Sequence, residues 1–164
     1  MIKKYLTVGM MALALTACGR KGDTPETGAE ASSKAVAATA ASNVDAAGQA
    51  SLRRAAGDTI NFAFDRYNLS DDAIRILDAQ ATWLVANPSV NVIIEGHTDD
   101  RGTRKYNQAL GERRANAGKR YLVSKGISTR RITTVSYGKD RPIDTAQTED
   151  AWAKNRRAVT VVVR

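Results

Sequence analysis

Residues 92–103 read Val-Ile-Ile-Glu-Gly-His-Thr-Asp-Asp-Arg-Gly-Thr, and a long basic segment follows them. The three leading aliphatic residues do not alternate with polar ones, which is typical of a strand buried on both faces. Gly96 and Gly102 interrupt the polar residues and allow the backbone to turn. Loops at strand ends often carry binding residues. We therefore expect a buried strand, a polar loop with a binding site, and a helix.

The helix predicted after this loop contains one arginine at an unexpected position. At 100° per residue, four residues form one apolar stripe: Tyr106, Leu110, Ala117 and Tyr121. Arg114 lies at the edge of that stripe, where a cation is unfavourable unless it has a partner. It could extend its charged end to water or pair internally, for example with Asp99. Alternatively, its forked guanidinium group could bind the carboxylate of a ligand.

Strand and helix patterns also surround this unit. Upstream, Ile60, Phe62 and Phe64 alternate with smaller or polar residues and predict a strand with one apolar face. A helix capped by Ser70 follows and is predicted to stop before Pro88. The remaining elements are a strand over 90–95, a helix over 104–124, a strand over 132–137, a helical turn over 149–153 and a strand over 158–163. The order β-α-β-α-β-β predicts an α+β domain with one mixed four-stranded sheet and both main helices on one face.

Residues 1–17 have the pattern of a lipoprotein signal peptide. A positively charged start at Lys3 and Lys4 precedes an apolar run that is too short to span a bilayer. The run ends in Leu-Thr-Ala-Cys, which resembles a lipobox, and Cys18 is the single cysteine of the chain. Precedent for this pattern implies cleavage before Cys18 and acylation of Cys18, which would anchor the chain to a membrane. An ordinary signal peptide that happens to contain a cysteine is the alternative.

Residues 18–57 are rich in alanine, serine, threonine and glycine, and they contain no aromatic residue. Such a segment buries too little apolar surface to offset the entropy lost on ordering. The alanines of residues 35–47 could support only a transient helix, because polar residues interrupt them. We therefore predict a flexible, disordered tether over residues 18–57 and a folded domain over residues 58–164.

The composition also bears on metal, catalytic and nucleic-acid functions. His97, Asp99 and Asp100 can all bind metals, but the chain has one histidine and one cysteine, too few for the common nitrogen and sulfur sites. No serine lies in the context of a nucleophile elbow. We therefore predict no metal site, no catalytic site and no cofactor, and we expect His97 to make a structural hydrogen bond. The formal net charge of +8 favours acidic polymers or membrane surfaces and does not by itself indicate nucleic acid.

Six blocks of sequence within residues 58–163 occur together in a characteristic order. They are FAFDRY (62–67), EGHTDDRGT (95–103), YN (106–107), LGERRANA (110–117), VSYGK (135–139) and KNRRAV (154–159). They resemble the peptidoglycan-associated lipoprotein family of Gram-negative bacteria and, more broadly, the OmpA-like C-terminal domain family. The resemblance implies an OmpA-like fold for residues 58–164.

The resemblance also implies a ligand and the residues that bind it. The family binds peptidoglycan through meso-diaminopimelate, whose free end carries an ammonium and a carboxylate on one carbon. Carried over by motif, Asp99 binds the ammonium and Arg114 binds the carboxylate, with Arg113 as the alternative arginine. Four further residues are expected around the site: Asp65, Tyr67, Asn107 and Leu110.

The resemblance further implies a non-enzymatic role at the cell envelope. A lipid on Cys18 would hold the chain in the outer membrane, facing the periplasm, where nucleic acid is not a partner. Membership of the Tol–Pal system would add TolB as a protein partner and a role in envelope integrity and cell division. The alternatives are an OmpA-domain lipoprotein outside that system and, in a different class, a peptidoglycan hydrolase. Arg156 and Arg157 form either a solvated basic face or a contact for an acidic partner.

Overall fold

The computed structural model of the chain describes residues 44–163, so the predicted signal peptide, Cys18 and the first part of the predicted tether lie outside the described residues. The described helices and strands are α1 (Ala46–Ala56), β1 (Thr59–Asn61), α2 (Asp71–Ala86), β2 (Asn91–His97), α3 (Arg104–Ser124), β3 (Ile132–Gly138), α4 (Glu149–Asn155) and β4 (Arg157–Val163). A 3₁₀ turn, Thr129–Arg131, precedes β3. None of the helices in this range combines the length and apolar character needed to cross a membrane.

The four strands form one mixed sheet, as predicted, and their order in the sheet is β1-β4-β2-β3. Strands β2 and β3 are parallel, whereas β4 runs antiparallel to both of its neighbours, β1 and β2. Residues of α2 and α3 share one core with one face of the sheet, and its sheet residues are Ile60, Val92, Ile94, Ile132, Ala158 and Val162. On the other face, Ile93, Val135 and Tyr137 form a second, smaller cluster. Both main helices therefore cover one face, and β2 is buried on both.

Helix α2 begins as its sequence predicts. The Ser70 side chain accepts a hydrogen bond from the amide of Ala73 and caps the helix, and two aspartates follow in the first turn. Leu77 and Leu84 are almost fully buried on the apolar stripe of this helix. Val85, next to Leu84 in the last turn, is 65% exposed, so it lies off the buried face of the helix.

Strand β1 is shorter than predicted, and the placement of Phe64 on its apolar face is wrong. The strand pairs with β4 over three residues and ends at Asn61. Phe62 still points into the core and is 5% exposed, and its amide donates to the carbonyl of Arg156 at 2.9 Å. Phe64 lies beyond the last pairing position and is 57% exposed. Because β1 ends at Asn61, Phe64 lies outside the core.

Helix α1 lies inside the segment predicted as a tether, and the predicted boundary at residue 58 is wrong. Leu52 is fully buried in the core that α2 and the sheet share. Gln49 fills the edge of β4: its Nε2 donates to the carbonyl of Thr160 at 3.1 Å, and its Oε1 accepts from the amide of Val162 at 2.7 Å. The prediction used the average composition of the segment and did not consider Gln49 and Leu52 individually. Their contacts with the domain compensate for the entropy lost when one helix becomes ordered.

We expect Leu52→Ala to lower the free energy of unfolding by about 2–5 kcal/mol, because it removes a fully buried side chain. Gln49→Ala should lower it by about 1–3 kcal/mol, because the amide of Val162 and the carbonyl of Thr160 lose their partner. Arg54→Ala, an exposed change on the same helix, is the control and should change it by less than about 0.5 kcal/mol. Urea unfolding of the chain without residues 1–17 measures all three. Equal stability of the three variants would contradict an integral role for α1.

Candidate functional site

The polar loop of residues 98–103 joins β2 to α3, as predicted. The side chain of Thr103 accepts a hydrogen bond from the amide of Tyr106 and caps α3. Asn107 is 1% exposed, and its Nδ2 donates to the carbonyl oxygens of Arg101 at 2.7 Å and Thr103 at 3.1 Å. Asn107 therefore holds the loop against the first turn of the helix.

Strand β2 and helix α3 approach each other closely at Gly96. A Cβ atom at this position would lie 1.8 Å from the carbonyl oxygen of Gly111, so a side chain cannot be placed there without moving the helix. The close approach places the first half of α3 beside the end of β2. The guanidinium group of Arg114 then reaches the carbonyl of His97, the last residue of the strand.

A pocket of about 200 Å³ lies between the loop, helix α3 and the turn after β1. It brings together five of the predicted residues: Asp65, Asp99, Asn107, Leu110 and Arg114. Four others complete the wall: Phe64, Arg101, Gly102 and Tyr106. Tyr67 is not part of the wall; it is 43% exposed, and its ring lies 5.8 Å from Cζ of Arg113. Of the two candidate arginines, Arg114 lines the pocket and Arg113 does not.

Arg114 is fully buried and holds three backbone carbonyls. Its Nε donates to Arg66 at 2.9 Å, its Nη1 to His97 at 2.8 Å, and its Nη2 to Ala63 at 3.2 Å. A guanidinium group has five N–H donors. One N–H on each Nη nitrogen therefore has no acceptor within residues 44–163. A guanidinium group binds both oxygens of a carboxylate when two of its N–H donors are parallel.

Arg114 neither extends to water nor forms an ion pair with Asp99, and the internal contacts it does make are with three backbone carbonyls. The side chain does not extend to water, because it is 0% exposed. No ion pair within 4.0 Å joins it to Asp99 among the described residues. Burial lowers the pKa of Arg114 to about 10, while the charges of Asp99 and Asp65 oppose that shift. The group is still a cation at neutral pH, so the pocket contains a buried positive charge.

Asp99 has one oxygen that is held and one that is available. Its Oδ2 lies 2.7 Å from Nη2 of Arg101 and 3.6 Å from Nη1 of Arg156. Its Oδ1 accepts no hydrogen bond from any group in residues 44–163. Asp99 is 5% exposed and lines the pocket. The carboxylate therefore has a fixed orientation and a free acceptor.

The guanidinium group of Arg101 lies between two aromatic rings. Its Cζ is 4.1 Å from the ring centre of Phe64 and 4.2 Å from that of Trp152. Its Nη1 also lies 3.7 Å from Oε2 of Glu149. The hydrogen bond to Asp99 raises the pKa of Arg101. These contacts hold a second cation in the wall of the pocket.

Arg156 and Arg157 do not form a solvated basic face, since they are only 7% and 6% exposed. Nε of Arg156 donates to the carbonyl of Phe62 at 3.1 Å, and its Nη2 lies 2.8 Å from Oε1 of Glu149. Arg157 donates from Nη2 to the carbonyl of Arg141 at 3.2 Å. Both cations therefore have internal partners, and Nη1 of Arg156 lies 3.6 Å from Oδ2 of Asp99.

Asp65 connects the turn after β1 to helix α3. Its φ of 56° lies in the left-handed region, which aspartate tolerates better than most residues. Its carboxylate accepts a hydrogen bond from the hydroxyl of Tyr106, and this bond raises the pKa of Tyr106. With Asp99, Arg101 and Arg114, it gives the pocket wall two carboxylates and two guanidinium groups. No group of three or more potential metal-binding carboxylate, histidine or cysteine side chains occurs in residues 44–163.

Comparison with known proteins identifies the family of the chain. The sequence pattern of the OmpA family matches residues 61–156. The peptidoglycan-associated lipoprotein of Rhizobium meliloti is 43% identical over 153 residues, which cover 93% of this chain and 84% of the relative. The chain belongs to the OmpA family and, within it, to the family of the peptidoglycan-associated lipoproteins.

Two further relatives support the assignment to the OmpA family. The peptidoglycan-associated lipoprotein of Haemophilus influenzae is 44% identical over 135 residues, which cover 76% of this chain and 88% of the relative. The crystal structure of the peptidoglycan-associated lipoprotein from Burkholderia pseudomallei superposes with a TM-score of 0.63 at 38% identity, over 64% of this chain and 89% of that one. The predicted OmpA-like fold is therefore confirmed.

Sequence reasoning missed several pocket residues of this OmpA-family domain. Phe64 was assigned to a strand and Tyr106 to the apolar stripe of α3, because apolar residues are expected in the core. The polar turn that starts at Asp65 was a sign that the strand ends before Phe64. Arg101 follows Asp99 by two residues in a loop that was already expected to carry a site. Its stacking on Trp152 depends on α4, which is far away in sequence, and no local pattern indicates it.

The prediction of a structural hydrogen bond for the His97 side chain is wrong. The ring is 2% exposed, and neither nitrogen has a hydrogen-bond partner within the described range. It stacks on Tyr137 with ring centres 5.5 Å apart, and Nε2 lies 3.6 Å from Oε2 of Glu95. Burial lowers the pKa of His97 below 6.5, although Glu95 opposes the shift. The neutral ring is therefore the form that the fold accommodates.

We expect His97 to reduce stability in mild acid. Because its pKa is lower in the folded chain than in the unfolded one, the unfolded chain takes up a proton first as the pH falls below 6.5. The free energy of unfolding should then fall by up to about 1.4 kcal/mol per pH unit until the folded-state pKa is passed. His97→Phe keeps a stacked ring and removes the titration, so it should be relatively more stable at about pH 5 than at about pH 7.5. Urea unfolding at both pH values tests this, and an unchanged difference between variant and wild type would contradict it.

Proposed function

We propose that the pocket binds the free end of meso-diaminopimelate in peptidoglycan. That end carries an ammonium and a carboxylate on one carbon. Oδ1 of Asp99 is a free acceptor for the ammonium, and the two remaining N–H donors of Arg114 suit the carboxylate. The observation that carries the proposal is that Asp99 and Arg114 line one pocket without pairing with each other.

The charge balance of the wall also supports a zwitterionic ligand. The wall contains Asp65, Asp99, Arg101 and Arg114, so its formal charges cancel. A ligand with one positive and one negative group preserves this balance, whereas a simple anion or cation would leave one charge without a partner. Partial burial strengthens each attraction relative to bulk water. The names of the relatives, which associate them with peptidoglycan, agree with such a ligand.

At the level of the cell, we propose a non-enzymatic anchor. The lipid on Cys18 would hold the chain in the outer membrane, and the domain would hold the peptidoglycan layer. The relatives are named lipoproteins, which supports the anchor. Membership of the Tol–Pal system, with TolB as a partner and a role in envelope integrity and cell division, rests on the family resemblance. Direct binding of purified TolB to the purified domain tests this part of the proposal.

Asp99→Asn and Arg114→Gln should each weaken binding to purified sacculi by roughly 10- to 100-fold. Each removes a charge-assisted hydrogen bond to the ligand, worth about 1.5–3 kcal/mol. Asp140→Asn is the matched control, because its carboxylate pairs with Arg104 outside the pocket wall. Amidation of the diaminopimelate carboxylate should weaken the wild type and have little effect on Arg114→Gln. Co-sedimentation with sacculi at a series of protein concentrations measures these affinities.

The fold of each variant must be checked, because Arg114 also holds three carbonyls. Circular dichroism and thermal unfolding identify the variants that remain folded at the assay temperature. If folded Asp99→Asn and Arg114→Gln bind sacculi as the wild type does, these residues do not bind the ligand. Release of soluble fragments from the sacculi would instead favour a peptidoglycan hydrolase.

We expect Cys18→Ala to release the chain from the outer membrane. Cys18 lies outside the described residues, and its role is proposed from the lipobox that precedes it. Gly19 is not the aspartate that retains lipoproteins in the inner membrane of some bacteria, so the wild type should fractionate with the outer membrane. The variant should lack the lipid and appear in the soluble fraction after a high-salt wash. A variant that stays fully with membranes after this wash would show that the lipid is not the anchor.

A further inference from the structure

Arg101 is the second cation of the pocket, and the proposed ligand contacts do not use it. Its guanidinium group is fixed on both faces by Phe64 and Trp152, at 4.1 and 4.2 Å. Its Nη2 holds Oδ2 of Asp99 at 2.7 Å. A free surface arginine would lose much side-chain entropy in such a position. Because these contacts hold Arg101 in place, its positive charge stays beside Asp99 when a ligand approaches.

We propose that Arg101 is a specificity-determining residue that restricts the pocket to ligands in which a carboxylate accompanies the ammonium. The proposal rests on the proposed function of the same pocket and extends it to the choice of ligand. In this proposal Arg101 does more than hold Asp99 in place. Its charge also decides how strongly the pocket prefers an ammonium with a neighbouring carboxylate over an ammonium alone.

The charges of the wall give the physical reason. Asp99 already has two arginines at its Oδ2, so part of its attraction for an incoming ammonium is compensated. A lone ammonium would make the net charge of wall and ligand positive and would leave Arg114 without a counter-charge. A ligand that adds a carboxylate restores the balance and pairs with Arg114. The charge of Arg101 therefore weakens the binding of simple amines more than the binding of zwitterions.

Replacing Arg101 with a neutral residue changes this balance. The wall would then carry Asp65 and Asp99 against Arg114 alone, which gives it a net negative charge. A lone ammonium would neutralise that charge, whereas a zwitterion would not. Both ligands lose the fixed orientation of Asp99 when Arg101 is removed, but only a simple amine gains from the new negative charge, so its binding should improve relative to that of a zwitterion.

Two stem tetrapeptides that differ at one position provide the probe. In one, the third residue is meso-diaminopimelate; in the other it is L-lysine, which has the ammonium but lacks the carboxylate. Isothermal titration of the wild type should give roughly 10- to 100-fold tighter binding of the diaminopimelate peptide, because one charge-assisted contact is lost with lysine. In Arg101→Gln this ratio should fall at least about tenfold.

Three variants control for a structural effect. Arg101→Lys keeps the positive charge and should keep most of the discrimination, even if the altered stacking weakens both peptides. Arg101→Met keeps an unbranched apolar side chain between the two rings and is a second neutral variant in case Arg101→Gln does not fold. Arg104→Gln removes an exposed arginine that pairs with Asp140 outside the wall, and its ratio should equal that of the wild type.

The outcomes separate this inference from the proposed function. If the wild type discriminates and folded Arg101→Gln or Arg101→Met keeps the same ratio, the inference is overturned and the proposed function stands. A loss of discrimination in Arg101→Lys equal to that in Arg101→Gln also overturns it, because the charge would then not be the cause. If the wild type does not bind the diaminopimelate peptide, the proposed function fails first. A smaller ratio in both neutral variants, with Arg101→Lys and Arg104→Gln close to the wild type, supports the inference.

Discussion

The guanidinium group of Arg114 joins three separate parts of the chain. It donates to Ala63 and Arg66 in the turn after β1 and to His97 at the end of β2, while its own backbone belongs to α3. The carbonyl of Ala63 also accepts from the amide of Arg66 at 3.2 Å, so Arg114 adds a second donor to this turn. Arg114 also lines the pocket, and the three carbonyls use three of its five N–H donors. The same side chain therefore holds the turn after β1 to the end of β2 and is the proposed partner of the ligand carboxylate.

A buried cation is tolerated here because opposite charges and fixed dipoles surround it. The charges of Asp99 and Asp65 partly offset the effect of burial, which alone would lower the pKa of Arg114 further. The carbonyls replace the water that the guanidinium group loses. Within residues 44–163 no carboxylate lies within 4.0 Å of the Arg114 guanidinium group, so its charge is balanced only by carbonyls and by more distant acids. A ligand carboxylate would complete this balance.

A second arginine network supports the other half of the pocket. Asp99 is held through one oxygen by Arg101 and Arg156, and both of these arginines also contact Glu149. Phe64 and Trp152 keep Arg101 in place. Glu149 and Trp152 lie on α4, so a helix that does not line the pocket still controls the carboxylate that does. The orientation of Asp99 is therefore set before any ligand arrives, which lowers the entropy lost on binding.

The sequence by itself determined the mixed sheet, the bounds of α3 and the Ser70 cap, and the family resemblance pointed to Asp99 and Arg114, which line one pocket. The sheet, the helix bounds and the cap follow from local periodicity and capping chemistry. The spacing between Asp99 and Arg114 spans only one strand end, one loop and one helix. The tertiary structure alone decided that Gln49 and Leu52 belong to the domain, that Phe64 leaves the core, and that Arg101 stacks on Trp152. Each of these depends on a partner many residues away, such as the edge of β4 or the face of α4. Local pattern is short-ranged, whereas burial and ion pairing depend on which distant groups the fold brings within a few ångströms.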